Sequence, residues 1–215
     1  MAQPDLTADR AQALALTPVS RETLDRLDRF VVTLLQWQQR MNLIGASTEP
    51  ILWTRHIADS LQLLALAPTA RVWVDLGSGA GFPGLVIACA LAGMPNAEVH
   101  LVERSAKKAG FLREAVRTTG APAVVHADNV AEFVKQAPEK IDVVTARALA
   151  PLPELLQEAY PLLKRDALGL FLKGQDVEAE LTAAAKCWNI EASLEQSKTT
   201  SRSRIVVIKA IEPKL

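Results

Sequence analysis

The apolar and polar positions of this 215-residue chain follow two different periods, and the change falls near residue 71. Before it, apolar residues recur at helical spacing. In "SRETLDRLDRFVVTLLQWQQRM" Leu24, Leu27, Val31, Leu34 and Trp37 form one stripe, with Ser20 placed to cap the N-terminus. "TADRAQALAL" and "TEPILWTRHIADSLQLLAL" predict two further helices, so residues 1–70 are expected to form a helical extension packed on the rest. Across 71–215 the pattern becomes short β-rich runs, "RVWVDLG", "AEVHLVE", "APAVVHAD", "KIDVVTARA" and "ALGLFLKG". Helical stretches separate them, the alternation of parallel βαβ units. "EASLEQ" and "RIVVIKA", on either side of "SKTTSRS", predict a closing hairpin. The expectation is an α/β fold, a seven-stranded, mostly parallel sheet under an N-terminal helical cap.

Composition narrows the function classes. The chain is 49% hydrophobic, enough for one sizeable core, and its 24 Lys and Arg balance 24 Asp and Glu, so no global field draws it onto nucleic acid or an anionic membrane. Any RNA contact is expected to be a local patch. Cys89 and Cys187 show no metal or redox spacing and are expected to be small buried hydrophobes in a reducing compartment. No apolar stretch reaches the roughly 18 residues of a membrane span, and no secretory leader pattern opens the chain, so a cytoplasmic location is expected. No His, Cys and acid cluster points to a metal.

The chemistry concentrates in "VDLGSGAGFPG". Gly77, Gly79 and Gly81 make G-x-G-x-G, but Phe82 stands where the nicotinamide-dinucleotide fingerprint wants its last glycine, and no P-loop lysine follows. Asp75 just before the turn would repel a pyrophosphate and suits a cationic ligand, such as the ammonium and sulfonium of S-adenosylmethionine. Glu103 is expected to end the second strand, placed to accept from two ribose hydroxyls. Asp128 is expected to end the third and, followed by Asn129, Val130 and Ala131, is placed to meet an adenine edge. Arg147 ends the fourth strand at the expected switch-point crevice, a lone charge among apolar residues. Three other readings stay open on these residues: a small-molecule methyltransferase, an NAD(P)-dependent oxidoreductase, and an RNA-binding module without catalysis.

"NLIGASTEPILWTRHIADSL", "WVDLGSGAGFPGL", "LVERSAKKAGFLRE", "DVVTARALAPLPELL" and "FLKGQ" together resemble the bacterial rRNA small subunit methyltransferase G family, also called glucose-inhibited division protein B. The resemblance implies a class I, Rossmann-like, S-adenosylmethionine-dependent methyltransferase that methylates N7 of guanine 527 in the 530 loop of 16S rRNA. It implies that positions matching Gly77, Phe82, Val130, Ala131 and Arg147 hold the cofactor, and that Asn129 replaces an arginine common among relatives. Arg147 is also the expected catalytic residue, orienting groups or stabilising charge without acting as a general base. For RNA contact the candidates are Asn42, Arg55, His56, Lys173, Arg202 and Arg204. The expected partner is 16S rRNA or the small ribosomal subunit, with neither membrane nor metal, and the chain is expected to be a monomer.

Overall fold

The computed structural model describes residues 5–214. α1 (Thr7–Leu16) and α2 (Arg21–Gln38) open the chain, and the Ser20 side chain accepts the Thr23 N–H at 3.2 Å, capping α2. Leu27, Phe30, Val31 and Leu34 are buried, with Leu24 and Trp37 half-buried against the same cluster. The third expected helix is not regular. Its chain forms a 3-10 turn (Ala46–Ile51), a π-helical turn (Trp53–Ala58), the single turn α3 (Asp59–Leu61) and another 3-10 turn (Gln62–Leu66). Pro50 has no N–H for a helical ladder. Asp9 of α1 accepts the N–H groups of Trp53 and Thr54 at 2.7 and 3.2 Å, satisfying them from outside the segment.

From residue 72 the chain alternates as β1 (Val72–Leu76), α4 (Gly84–Leu91), β2 (Glu98–Val102), α5 (Ala106–Thr119), β3 (Ala123–His126), α6 (Val130–Gln136), β4 (Val143–Arg147), α7 (Leu152–Leu163) and β5 (Leu168–Lys173). α8 (Val177–Ala184), β6 (Trp188–Gln196) and β7 (Arg204–Pro213) complete it. The seven strands lie in the order β3-β2-β1-β4-β5-β7-β6, parallel except that β7 runs antiparallel to both neighbours. The order reverses between β1 and β4, so their carboxyl ends border the crevice in which open α/β sheets bind ligands.

β1, β2, β4, β5 and β7 each feed two cores, because successive side chains point to opposite faces. Trp73, Leu101, Val143, Leu170 and Leu172 pack under α2, α4, α5 and the turns of residues 46–66. Val74, Leu76, Val144, Ala146 and Phe171 pack under α6, α7 and α8. This parity decides where each functional side chain goes. Asp75, Thr145 and Arg147 share the face of Trp73 and Val143, beneath the N-terminal cap. Lys173 shares the face of Phe171, toward α7 and α8. Cys89 is buried in α4, its thiol pushed up to about 12 by burial, but Cys187 is exposed beyond α8, against expectation. Among the described residues no helix is long and apolar enough to cross a membrane, and no three potential metal ligands gather.

Candidate active site

The glycine turn leaves β1 in a conformation L side chains rarely adopt, with φ of +67° at Gly77, +53° at Gly79 and +88° at Gly81. A Cβ at Gly77 would lie 2.5 Å from Cδ1 of Leu149, so the turn and the loop after β4 touch through a missing side chain. Asp75 faces the interior. Its carboxylate is buried, accepts the Gly84 N–H at 3.1 Å and the Thr145 hydroxyl at 2.9 Å, and lines neither of the two main cavities at the strand ends. A Cβ at Gly84 would come within 2.7 Å of that carboxylate, so glycine is what lets α4 start against it. Burial pushes the Asp75 carboxyl up to about 6, against the hydrogen bonds from Thr145, Ser78 and Gly84 and the nearby charge of Arg147. Gly81 and Phe82 are also turned inward. Phe82 is buried between Phe30, 5.3 Å away ring to ring, and His56, stacked at 4.8 Å.

Two cavities open at the carboxyl ends of the strands, with Ala148, Leu149 and Ala150 forming a wall common to both. The first, of about 450 Å³, lies on the β2 and β3 side and is lined by Gly77, Gly79, Glu103, Asp128, Asn129 and Val130. Glu103 accepts the Gly79 N–H at 2.9 Å through one oxygen and the Ser105 N–H at 2.7 Å through the other. Each oxygen keeps a lone pair for a further donor such as a ribose hydroxyl. Asn129 caps α6, accepting the Glu132 N–H at 3.0 Å, and Asp128 accepts from Gln136. Ala131 is exposed on α6 and does not line the cavity. Glu154 and Glu158 of α7, Arg104 before α5 and Lys108 on it complete the rim, which the sequence pattern does not single out. Four acids against two bases make this a poor pyrophosphate site and a suitable one for a ligand of net positive charge.

The second cavity, of about 420 Å³, lies on the β5 side and carries Arg55, Asp59, Arg147, Lys173 and Glu180. Arg147 lines this cavity rather than the first. Its guanidinium sits 5.0 Å over the Phe82 ring and donates to the Arg55 carbonyl at 3.2 Å, and burial lowers it to about 10 without threatening its charge. Lys173 has two of its three donors engaged inside the protein. It donates to the Ala150 carbonyl at 2.6 Å and pairs with Glu180 at 2.7 Å, and Glu180 also accepts the Leu152 N–H that opens α7. Glu180 sits on α8, an element the sequence reading passed over although Asp176 and two early acids in "DVEAELTAA" mark a helix start.

The other RNA candidates divide. Arg55 lines the second cavity and also an adjoining groove with Thr199, Thr200 and Arg202. Arg202 is exposed, whereas Arg204 is half-buried and braces the loop between β6 and β7 by donating to the Ser201 and Ser203 carbonyls. Asn42 is exposed in the loop after α2 and lines neither cavity. His56 is buried, its Nε2 3.0 Å from the Thr48 hydroxyl, and burial with the charges of Arg147 and Arg55 drives it down to about 3. It is a neutral packing group at physiological pH. Asp59 is a junction: one oxygen takes Arg55 at 3.1 Å, and the other takes Gln62 at 2.9 Å, Thr199 at 2.8 Å and Ser197 at 3.2 Å. The N-terminal cap is thereby tied to the β6–β7 loop.

The sequence model of the family described as rRNA small subunit methyltransferase G matches residues 23–207. A Ribosomal RNA small subunit methyltransferase G of Bradyrhizobium sp. (strain BTAi1 / ATCC BAA-1182) is 62% identical over 207 residues, covering 96% of this chain and 93% of its own. One of Rhodopseudomonas palustris (strain HaA2) is 57% identical, covering 98% of this chain and 88% of its own. Among solved structures, the O-methyltransferase from Bacillus cereus in complex with SAH superposes with a TM-score of 0.61 at 15% identity, covering 95% of this chain and 98% of that one. The O-methyltransferase TomG from Streptomyces achromogenes, in complex with SAM, gives 0.60 at 11%, covering 97% and 99%. These last two likenesses are of fold.

Proposed function

The chain belongs to the rRNA small subunit methyltransferase G family, and from that premise we propose that it methylates N7 of guanine 527 in the 530 loop of 16S rRNA, using S-adenosylmethionine. The observation that carries the reading is the pair of cavities separated by one thin wall at the carboxyl ends of β1, β4 and β5. The first suits the cofactor: two glycines of the turn facing it, a carboxylate with lone pairs to spare, a cap residue and a rim richer in acids than bases. When bound, the cofactor supplies an electrophilic methyl group. The second, lined by arginine and lysine, suits a base splayed out of single-stranded RNA.

Guanine N7 carries a lone pair in the ring plane and no proton, so no residue has to act as a base before attack. The work of the protein is to align and to exclude water, worth on the order of 7 to 11 kcal/mol in well-oriented systems. Arg147 fits a positioning role on the target side. Held by Phe82 and the Arg55 carbonyl, it can donate to a base oxygen or a phosphate without reorganising. Since the product ring is cationic, its charge is tolerable only when aimed away from N7. The four acids of the first cavity also weigh against the nicotinamide alternative.

The test is incubation with methyl-labelled S-adenosylmethionine and small subunits lacking the modification, followed by nucleoside analysis and mapping. N7-methylguanosine in the 530 loop is expected. Cofactor binding without label in rRNA would overturn the substrate and leave the fold and cofactor reading intact.

A further inference from the structure

Resting on the reading that guanine is the target, we propose that Lys173 and Glu180 together recognise the O6 and N1–H edge of that base and so set its specificity for guanine over adenine. The two groups are adjacent in the second cavity, an ammonium 2.7 Å from a carboxylate oxygen, with their side chains only 9% and 26% exposed. Guanine presents an acceptor, O6, directly beside donors, N1–H and the N2 amino group. Adenine presents the reverse order, a donor beside an acceptor. A fixed donor beside a fixed acceptor therefore matches guanine and opposes adenine.

Both groups have capacity left. Lys173 uses one donor on the Ala150 carbonyl and one on Glu180, leaving a third for O6. The Glu180 oxygen Oε2 takes Lys173 and the Leu152 N–H, while Oε1 accepts no hydrogen bond among the described residues. Asp59, the other acid of this cavity, has both oxygens occupied by Arg55, Gln62, Ser197 and Thr199, so it is not the available acceptor. The placement also suits the chemistry. N7 adjoins O6 on the ring, and Lys173 reaches Ala150, part of the wall toward the first cavity. A base read by Lys173 through O6 brings N7 to that side.

The same ion pair also latches the wall, through Ala150 and Leu152, so loss of activity alone would not separate reading from support. The experiment uses small subunits reconstituted from 16S rRNA carrying guanine or 2,6-diaminopurine at the target position. 2,6-Diaminopurine keeps N7 and the N2 amino group but replaces O6 by an amino donor and N1–H by an unprotonated acceptor. With the wild-type protein kcat/KM is expected to fall at least about 5- to 100-fold for 2,6-diaminopurine, the usual worth of a base-edge contact. In Glu180→Gln, whose amide oxygen can still accept from Leu152 and whose amide can accept from or donate to the base, the ratio between the two substrates should shrink by about five-fold or more. A purely structural latch would lower both rates and leave their ratio as in the wild type, which would overturn the proposal. So would a wild-type protein indifferent to the exchange, a result that needs no variant to fold. Should the wild type methylate guanine-bearing subunits elsewhere than N7 at this position, the functional reading itself is what fails.

Discussion

Asp75 shows how the strand face a carboxyl lies on sets its surroundings. An acid before a glycine turn suggests a ligand contact, yet it lies on the same strand face as Trp73, which is fully buried, and α4 begins above it. With a folded value near 6 and an ordinary unfolded value near 4, the native state holds a proton that the unfolded chain has already released. The contribution of this residue is therefore intact below about pH 4 and is lost as pH rises toward 6, by on the order of 3 kcal/mol in all. Asparagine cannot ionise, and it can still accept from Gly84 and donate to the Thr145 hydroxyl. Asp75→Asn should match the wild type near pH 4 and exceed it by up to a few kcal/mol at pH 7, with cofactor affinity retained. Urea unfolding at several pH values, with calorimetry for the cofactor, checks both. A wild type that gains on the variant as pH rises would mean that the carboxylate is stabilised as an anion.

At the scale of elements, the irregular segment of residues 46–66 and the β6–β7 loop depend on each other through Asp59. Ser197, Thr199 and Gln62 converge on one of its oxygens, and the Gln62 side-chain amide oxygen accepts the Lys198 N–H at 2.9 Å. Asp59→Ala strands these groups, at about 1–3 kcal/mol for a buried polar group left unpaired. The loop should then exchange its amide hydrogens faster over residues 197–203. KM for small subunits should rise several-fold while cofactor affinity stays unchanged, and unaltered exchange in the loop would refute the coupling. The strand succession, the closing hairpin and the positions of Glu103 and Arg147 at strand ends were legible in the sequence, because parallel βαβ units announce themselves by alternation. Two elements were not. The apolar spacing after Thr48 suggests one helix because periodicity does not register Pro50 or the N–H acceptors that Asp9 brings from α1. α8 is eight residues long with only Val177 and Ala184 buried, too short a stripe to stand out, so Glu180 went unnoticed with it.

For the whole molecule, a net charge of zero means that attraction to rRNA rests on a few cations gathered on one face. Composition showed that much, but which cations are free depends on distant pairings. Lys173 is held by Glu180, Arg55 by Asp59 and Arg204 by its own loop, while the exposed Arg202 lines a groove beside the second cavity. Few phosphate contacts predict a shallow dependence of affinity on salt, with a slope of about 0.7 per contact for single-stranded RNA. Arg202→Ala should reduce the magnitude of that slope by about this amount, weaken binding at low salt more than at high salt, and leave turnover on saturating subunits nearly unchanged. Lys135, exposed on α6 and paired with Glu132 at 2.7 Å, serves as the control, and Lys135→Ala should leave the slope as it is. Binding isotherms at several salt concentrations decide the matter. Equal slopes for Arg202→Ala and the wild type would remove this groove from the RNA path and shift the electrostatic contact to another face, such as the Arg104 and Lys108 rim of the first cavity.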